Sequence, residues 1–302
     1  MSPAASSHAA MLIVSAFVAG SFSLGAMAAP HIAPLALTAV RFAIAAIALW
    51  VFLLIRREQV PLGAYRGLWR YVALGSLFSL YFVLMFEGLN TAAPVSAAAV
   101  YATTPLITAG FGFMLLKQRP TRRMSVAMSI AGIGAIWVIF RPDLAALLAF
   151  QLGRVEAIYF LGCVAHSLYI PLIRILNRGE SALVFTLGTV IGAMVGLFMA
   201  GMPALLSTDW AALPSVVWIT IAYTAIFATA ASFALTQFAS LRLPAANVMA
   251  YTYLVPAWVI VWELALGAGG PPAMILPGIA LIVVALVAML GEDGRNPRRQ
   301  TA

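Results

Sequence analysis

Two sets of five long apolar segments follow one another along this 302-residue chain, and landmarks of the first set recur in the second at an offset of 151 residues. Phe82 matches Phe233 in this way, and Pro105 matches Pro256. A helix needs about 20 apolar residues to cross the hydrocarbon core of a bilayer, and each segment is close to that length. Because five is odd, the second set must cross the membrane in the opposite direction to the first. Inverted repeats of this kind are typical of secondary transporters.

The composition excludes a water-soluble fold. Hydrophobic residues make up 64% of the chain and charged residues 9%, whereas soluble domains contain about 45–50% and about 25%. We therefore predict an all-α integral membrane protein of ten transmembrane helices, with one five-helix repeat over 1–150 and an inverted one over 151–302. The predicted spans are 9–29, 32–55, 70–90, 94–116, 122–140, 155–173, 182–201, 213–240, 244–268 and 272–290.

The basic residues follow the even-numbered spans. Fourteen arginine and lysine side chains lie in those loops and at the C-terminal end, against Arg141 and Arg154 in the other loops and Arg41 inside span 2. Under the positive-inside rule this distribution places both termini in the cytoplasm. Membrane topology thereby explains the net charge of +8, and we expect the lipid bilayer, not a nucleic acid, as the partner of the charged loops.

Residues that could form a catalytic or metal centre are sparse. The chain has one cysteine, Cys163, and three histidines, of which His8 and His31 lie outside the predicted spans. One cysteine excludes an intrachain disulfide, and no acidic pair has the spacing of metal ligands. We therefore expect no enzyme activity, no cofactor and no metal. A channel should show a ring of polar residues, and a receptor usually has a folded extramembrane domain; the sequence indicates neither, but both remain alternatives to a transporter.

Span 7 carries Gly188, Gly192 and Gly196 at four-residue intervals. Small residues at this spacing let a second helix approach closely within a membrane. The partner helix could belong to the same chain or to a second copy. We expect the same chain, and hence a monomer, with a dimer as the alternative.

Pro105 and Pro256 lie about halfway along spans 4 and 9. A proline ring inside a helix removes the hydrogen bond to the carbonyl four residues earlier and kinks the helix. The freed carbonyls belong to Tyr101 and Thr252, and in a membrane they should face protein, water or a ligand. Matched kinks in the two halves suit a transport site at the midplane between repeats, although kinks that only improve packing explain them equally well.

Arg41 is the cation inside span 2, near its centre. Exposure of arginine to lipid at that depth costs from about 3 to above 10 kcal/mol, depending on the reference state, so the side chain should face inward. It could bind a substrate carboxylate or act as a gating partner of a buried acid. A structural ion pair or the capping of helix carbonyls is the alternative. Glu87, near the end of span 3, is a further candidate for charge pairing or gating, although its side chain could simply reach water.

Three stretches carry a resemblance to a known family. They are Arg41-Phe42 in span 2, the run from Glu87 to Pro94 that leads to Thr104-Pro105-Leu106, and the run from Leu241 to Ala246 that leads to Val255-Pro256. In their order, spacing and duplication they resemble the ten-helix EamA type of the drug/metabolite transporter superfamily, over nearly the whole chain. Within it, the chain is most similar to the YddG-type exporters of aromatic amino acids, which implies efflux across a bacterial inner membrane.

The chain departs from that family where many members carry Gly-Glu after spans 4 and 9. Leu116-Lys117 and Gly267-Ala268 stand there instead. A proton-coupling role for those glutamates therefore does not carry over to this chain.

Aromatic and polar side chains inside the spans are the candidate substrate contacts. A hydroxyl, imidazole or amide within a membrane needs a hydrogen-bond partner, which could be substrate or a neighbouring helix. We expect the site to be built from spans 1, 3, 4, 6, 8 and 9, with Pro105 and Pro256 as the bends. The candidates are Tyr81, Phe82, Tyr101, His166, Tyr169, Gln237, Asn247, Tyr251 and Tyr253.

Taken together, these features predict a secondary exporter of small neutral metabolites, principally amino acids and aromatic ones among them, that works by alternating access. Carriers of other metabolites, drugs or nucleotide-type solutes share the expected fold and are the nearest alternative. The sequence does not separate proton coupling from facilitated diffusion.

Overall fold

The computed structural model describes residues 3–89, 94–119, 121–139, 154–267 and 272–293, and its regular structure there is helical. The uninterrupted helices are α1 (Pro3–Ala28), α2 (Pro34–Ile55), α3 (Trp69–Leu89), α5 (Arg122–Ile139), α6 (Arg154–Leu176), α7 (Ala182–Ser207) and α10 (Leu276–Asp293). Three more, α4, α8 and α9, contain an interruption and are described below. The predicted all-helical fold of ten helices is confirmed.

Eight of the ten helices are long and apolar enough to cross a membrane. The other two are α5, which opens with Arg122 and Arg123, and α10, which together with the 3-10 turn before it forms a shorter apolar helix, Ala273–Ala288. The first span is longer than predicted because α1 begins at Pro3 and a 3-10 turn, Ala29–His31, extends it. The prediction that His8 and His31 lie outside the spans was therefore wrong.

Helices of one repeat pack chiefly on helices of the other. α3 lies against α6 and α7, α2 against α7, α1 against α8 and α9, and α5 against α10. The largest cluster of buried apolar side chains fills the space among α1, α2, α3 and their partners in the second repeat. The interface between repeats is therefore the core of the protein.

The glycines of span 7 contact α3 of the same chain. A methyl group on Gly192 would overlap the backbone of Tyr71, and one on Gly188 would overlap the Tyr71 ring. Gly75 of α3 is equally close to the α7 backbone at Ala193. At Gly196, by contrast, a methyl group would meet no described atom within 4 Å. The expectation of an intrachain partner is confirmed for Gly188 and Gly192.

The two helices that contain Pro105 and Pro256 are broken, not only kinked. α4 consists of α4a (Pro94–Tyr101) and α4b (Thr104–Leu116). α9 consists of α9a (Ala245–Ala250), a 3-10 turn (Tyr251–Leu254) and α9b (Val255–Ala265). Each proline is the second residue of the restarted half, where its missing N–H leaves no hydrogen bond unmade. α4a and α9a begin 151 residues apart, and so do α4b and α9b. The duplication therefore extends to the breaks themselves.

α8 contains a π-helical segment, Ile226–Ala231, between its α-helical parts Ser215–Ala225 and Ser232–Ser240. The wider turn shifts the register of the side chains that follow it, and such segments are frequent at functional sites. The matching part of the first repeat lies in regular α3. The two halves therefore differ in the middle of an otherwise equivalent helix.

Candidate functional site

A small cavity lies between the repeats, lined by all six of the helices expected to form the site: α1, α3, α4, α6, α8 and α9. Its volume is about 30 Å³, room for about one water molecule. Five of the candidate residues line it, namely Tyr81, Phe82, Tyr101, His166 and Tyr251. The remaining walls include Met11, Val14, Ser15, Val18, Phe78, Ala228, Ser232, Phe233, Thr236, Met249, Thr252 and Val255.

His166 is the polar centre of the cavity wall. Its Nε2 atom is hydrogen-bonded to the hydroxyl of Tyr101 at 3.2 Å, and its ring is surrounded by Phe78 and Tyr81, with centroids at 4.9 and 4.7 Å. The Nδ1 atom is buried and has no hydrogen-bond partner among the described residues. A buried polar atom left without a partner is costly, so this nitrogen is available to a group that enters the cavity.

Phe82 and Phe233 occupy equivalent positions in the two repeats and stack on each other across the cavity. Their ring centroids are 6.4 Å apart with an interplanar angle of 15°. Phe78 packs edge-on against both, at 5.0 Å from Phe82 and 4.0 Å from Phe233. Phe78 and Phe233 were missed as site residues, although Phe78 precedes Phe82 by one helical turn and so shares its face.

Tyr169 and Gln237 form a second layer behind the cavity. Gln237 Nε2 donates a hydrogen bond of 3.0 Å to the Tyr169 hydroxyl, and the Tyr169 ring stacks on His166. Neither side chain is among the cavity walls. Tyr169 therefore supports the His166 ring directly, and Gln237 holds Tyr169 in place.

Tyr253 and Asn247 do not line the cavity. Tyr253 is fully buried in a separate apolar cluster with residues of α5 and α10 such as Ala131 and Ile282. Asn247, in α9a, is also buried. The expectation that Tyr253 faces the site was wrong, because it lies two residues beyond Tyr251 in a 3-10 turn and points to a different side of the helix.

Tyr251 joins the cavity to the first helical turns of α1. Its hydroxyl is hydrogen-bonded to His8 Nδ1 at 2.9 Å. Met11 and Ser15, one and two turns further along α1, also line the cavity. The contribution of α1 was expected, but His8 was not, because the predicted span began after it.

The break in α4 is closed by threonine hydroxyls. The carbonyl of Tyr101, freed by Pro105, accepts a hydrogen bond of 2.7 Å from Thr104 Oγ1. The same hydroxyl lies 3.2 Å from Thr252 Oγ1, in the break of α9. The two breaks are therefore directly linked beside the cavity.

Arg41 is fully buried beside the site, behind Phe82. Its Nε and Nη2 atoms donate to Thr229 Oγ1 at 3.1 and 2.7 Å, and the guanidinium lies 3.8 Å from the Phe82 ring centroid, in the range of a cation–π contact. Nη1 has no partner among the described residues. Thr229 reaches Arg41 from the π-helical segment of α8.

Glu87 does not pair with Arg41. The Glu87 residue is exposed, three residues before the end of the predicted span, and the contacts of Arg41 are with a hydroxyl and aromatic faces instead. Glu87 is therefore placed as in the alternative that its side chain reaches water, and Arg41 is held by a neutral acceptor from the π-helical segment and by aromatic rings. Burial of this charge was predictable, but its partner was not.

A buried ion pair was missed at one end of the bundle. Arg70, expected in a loop, is fully buried at the start of α3, and its Nη2 lies 2.7 Å from Glu180 Oε1 in the loop before α7. Burial alone would raise the pKa of Glu180, but hydrogen bonds from Arg70 and the Arg178 backbone N–H outweigh it and hold the pKa below its ordinary value. The pair fixes α3 of the first repeat to the second.

No group of three or more His, Cys, Asp or Glu side chains with the geometry of a metal site is present among the described residues. Cys163 is a buried free thiol. The chemistry of the cavity walls is therefore that of aromatic faces, hydroxyl groups and one imidazole.

Ten helices in two repeats, with broken helices and a cavity at their interface, define a membrane transporter. The chain belongs to the EamA-like transporter family, whose sequence profile matches residues 6–140 and again residues 154–291. The two matched segments fall in the two predicted repeats. The family consists of transporters, which agrees with the expectation that the chain is not an enzyme.

Two individual proteins are similar over nearly the full length. An uncharacterized transporter of Bacillus subtilis (strain 168), YyaM, is 24% identical over 283 residues, which cover 92% of each chain. A solved crystal structure of a protein with 19% sequence identity superposes with a TM-score of 0.73, over 98% of this chain and 99% of the other. The latter likeness supports the fold alone.

Proposed function

We propose that this transporter is a secondary exporter of small neutral metabolites, with amino acids and aromatic ones among them as its principal substrates. The observation that carries the proposal is the wall of the central cavity, in which Phe78, Tyr81, Phe82, Tyr101 and Phe233 surround one imidazole. Aromatic faces favour a flat apolar side chain by stacking or edge contact. The polar atoms needed to orient such a ligand are few, as is usual in small-molecule sites.

The charge distribution around the cavity favours a substrate without net charge. The described wall residues include no Asp, Glu, Lys or Arg. Arg41 lies behind Phe82, and its Nη1 has no partner in the part of the chain that the structure describes, so a carboxylate that reached past that ring would find a donor. The partner ammonium of an amino acid would be stabilised by the aromatic faces.

Alternating access follows from the size of the cavity and the position of the breaks. Sites that enclose small molecules have volumes of about 300–1,000 Å³, far above the 30 Å³ of this conformation. A substrate therefore needs the repeats to separate. Pro105 and Pro256 lie where α4 and α9 restart, and the Thr104–Thr252 contact holds the two breaks together. Bending at the breaks opens the cavity toward one side of the membrane at a time.

A single chain contains both repeats and all the cavity walls, so we infer that the monomer transports. The placement of basic residues supports cytoplasmic termini, and the resemblance to bacterial exporters supports the inner membrane as the location. Export then proceeds from the cytoplasmic side, where α1 begins and α10 ends.

Competition binding tests the substrate class. The purified protein is incubated with a labelled aromatic amino acid, and neutral amino acids, nucleotides and lipophilic cations compete for it. We expect aromatic amino acids to compete best and nucleotides to have no effect. The variant Phe82→Ala should lower the affinity at least tenfold, whereas Phe160→Ala, at a surface position that is 42% exposed, should not change it. Stronger competition by nucleotides or by cations would assign the site to those carriers instead.

A further inference from the structure

A second, larger cavity lies on the outer surface of the bundle, away from the central site. It is a groove of about 530 Å³ between α2, α3 and α7, covered at one end by the loop that joins α2 to α3. Its walls are almost wholly apolar: Trp50, Leu53, Val60, Ala64, Tyr65, Leu68, Tyr71, Val72, Val184, Leu187, Gly188, Ile191, Gly192 and Val195. Trp50, Val72, Ile191 and Val195 are 42–54% exposed, so the groove opens outward along the helices.

The groove has a floor made by the glycines of α7. Gly188 and Gly192 lack side chains, and Tyr71 fills the space against them. Larger residues at these positions would both separate the helices and close the groove. Because α2 and α3 belong to the first repeat and α7 to the second, the groove lies along the seam between the repeats.

The loop that covers one end of the groove is rich in basic residues. The loop that supplies Val60, Ala64, Tyr65 and Leu68 to the wall also carries Arg56, Arg57 and Arg66, all exposed. The exposed Arg178 adds a fourth guanidinium, which lies against Gly67 of this loop. The acid of this loop is Glu58, whereas the neighbouring Glu180 is already paired with Arg70. The uncompensated charge at this end is therefore positive.

We propose that this groove is a binding site for an anionic phospholipid. Its acyl chain lies along the apolar walls between α3 and α7, and its phosphate meets the arginines of the α2–α3 loop. Tyr65 lies in the loop at this end and Trp69 directly follows it, and they are 61% and 59% exposed. Aromatic residues with a polar atom are enriched in this way at a membrane interface. Each basic residue near a membrane surface contributes about 1 kcal/mol to the attraction of anionic lipid.

A second copy of the chain is a poorer occupant. A two-fold dimer would bring this surface against itself, and the arginines of one copy would then lie near the same arginines of the other. Like charges brought together in this way oppose association. A lipid of opposite charge removes that repulsion.

Native mass spectrometry of the full chain in detergent tests the site. The protein is titrated with phosphatidylglycerol and with phosphatidylcholine of the same acyl chains. We expect phosphatidylglycerol to bind the more tightly, and the double variant Arg56→Gln/Arg66→Gln to weaken it by about fivefold for each arginine removed, with phosphatidylcholine unchanged. The matched control Arg119→Gln/Arg242→Gln removes the same charge from other loops and should leave the preference intact.

The apolar part of the site is tested by Ile191→Trp, which fills the groove from an exposed position. It should lower the amount of both lipids bound, whereas Ile133→Trp, at a similarly exposed position on α5, should not. Equal binding of the two lipids by the unaltered protein, or equal losses in the arginine variants and their control, would overturn the proposal. So would a dimer in the spectrum that Ile191→Trp dissociates, since the groove would then hold a second copy. Because binding is measured without transport, failure here leaves the proposed export function untouched.

Discussion

The variant Tyr101→Phe deletes one oxygen atom and with it the hydrogen bond between Tyr101 and His166. Tyr101 is 4% exposed, and His166 Nδ1 already has no partner among the described residues. Without the hydroxyl, neither ring nitrogen of a buried histidine has a partner in the closed conformation. Leaving a buried polar atom unsatisfied costs about 1–3 kcal/mol, and we expect about 2 kcal/mol here, a change of about 30-fold in the unfolding equilibrium.

The free energy of unfolding is measured by titrating the protein in mixed micelles with a denaturing detergent while tryptophan fluorescence is followed. Tyr65→Phe, at a residue that is 61% exposed, is the control and should change the free energy by less than about 0.5 kcal/mol. The double variant Tyr101→Phe/His166→Phe removes both polar partners, so its loss should be smaller than the sum of the single losses. Strict additivity, or an unchanged free energy of unfolding in Tyr101→Phe, would refute the description of His166 as a buried side chain held by a hydrogen bond from Tyr101.

Three further predictions concern the contacts that hold the repeats together. Gly192→Ala should destabilise the protein by about 1–3 kcal/mol, because the methyl group overlaps the α3 backbone, whereas Gly196→Ala, in open space, should be neutral or slightly stabilising. Thr229→Val should cost about 1.5–3 kcal/mol, since it removes the hydroxyl that accepts from the buried arginine of α2. Glu180→Gln should cost about 3–5 kcal/mol, because it leaves Arg70 buried without its counter-ion.

The ion pair also predicts a pH dependence. Since the folded-state pKa of Glu180 lies below its ordinary value of 4.5, its contribution to stability is complete near neutral pH and is lost as the pH falls through the folded-state value. Thermal midpoints in detergent, measured from pH 7 downward, should therefore fall less in Glu180→Gln than in the unaltered protein. An equal fall of the thermal midpoint in Glu180→Gln and in the unaltered protein would contradict the ion pair. Equal midpoints for Gly192→Ala and Gly196→Ala would contradict the close contact of α7 with α3.

The positions of the helices and the six helices around the cavity were predictable because hydropathy and duplication record them directly. The error at Tyr253 arose from register. Tyr101 and Tyr253 each lie shortly before a proline, but the residue 151 positions after Tyr101 is Thr252, which does line the cavity. Strict use of the repeat offset would have selected the threonine.

The partner of Arg41 could not be predicted for a different reason. Its burial follows from the cost of a charge in lipid, whereas Thr229 reaches it only because α8 widens into a π-helical segment. The segment Ile226–Ala231 contains neither proline nor glycine, so no local signal marks the wider turn. The Arg70–Glu180 pair likewise joins residues 110 positions apart, a pairing that no local pattern records.

Flux through the purified protein in proteoliposomes tests the proposed function most directly. Vesicles loaded with unlabelled aromatic amino acid and diluted into the labelled compound should accumulate label with saturable kinetics, and the rate should fall at least tenfold in Phe82→Ala but not in Phe160→Ala. The same assay with an imposed pH gradient separates proton-coupled export from facilitated diffusion. Absence of saturable flux for every amino acid and aromatic metabolite tested, with a folded and correctly inserted protein, would contradict the proposal.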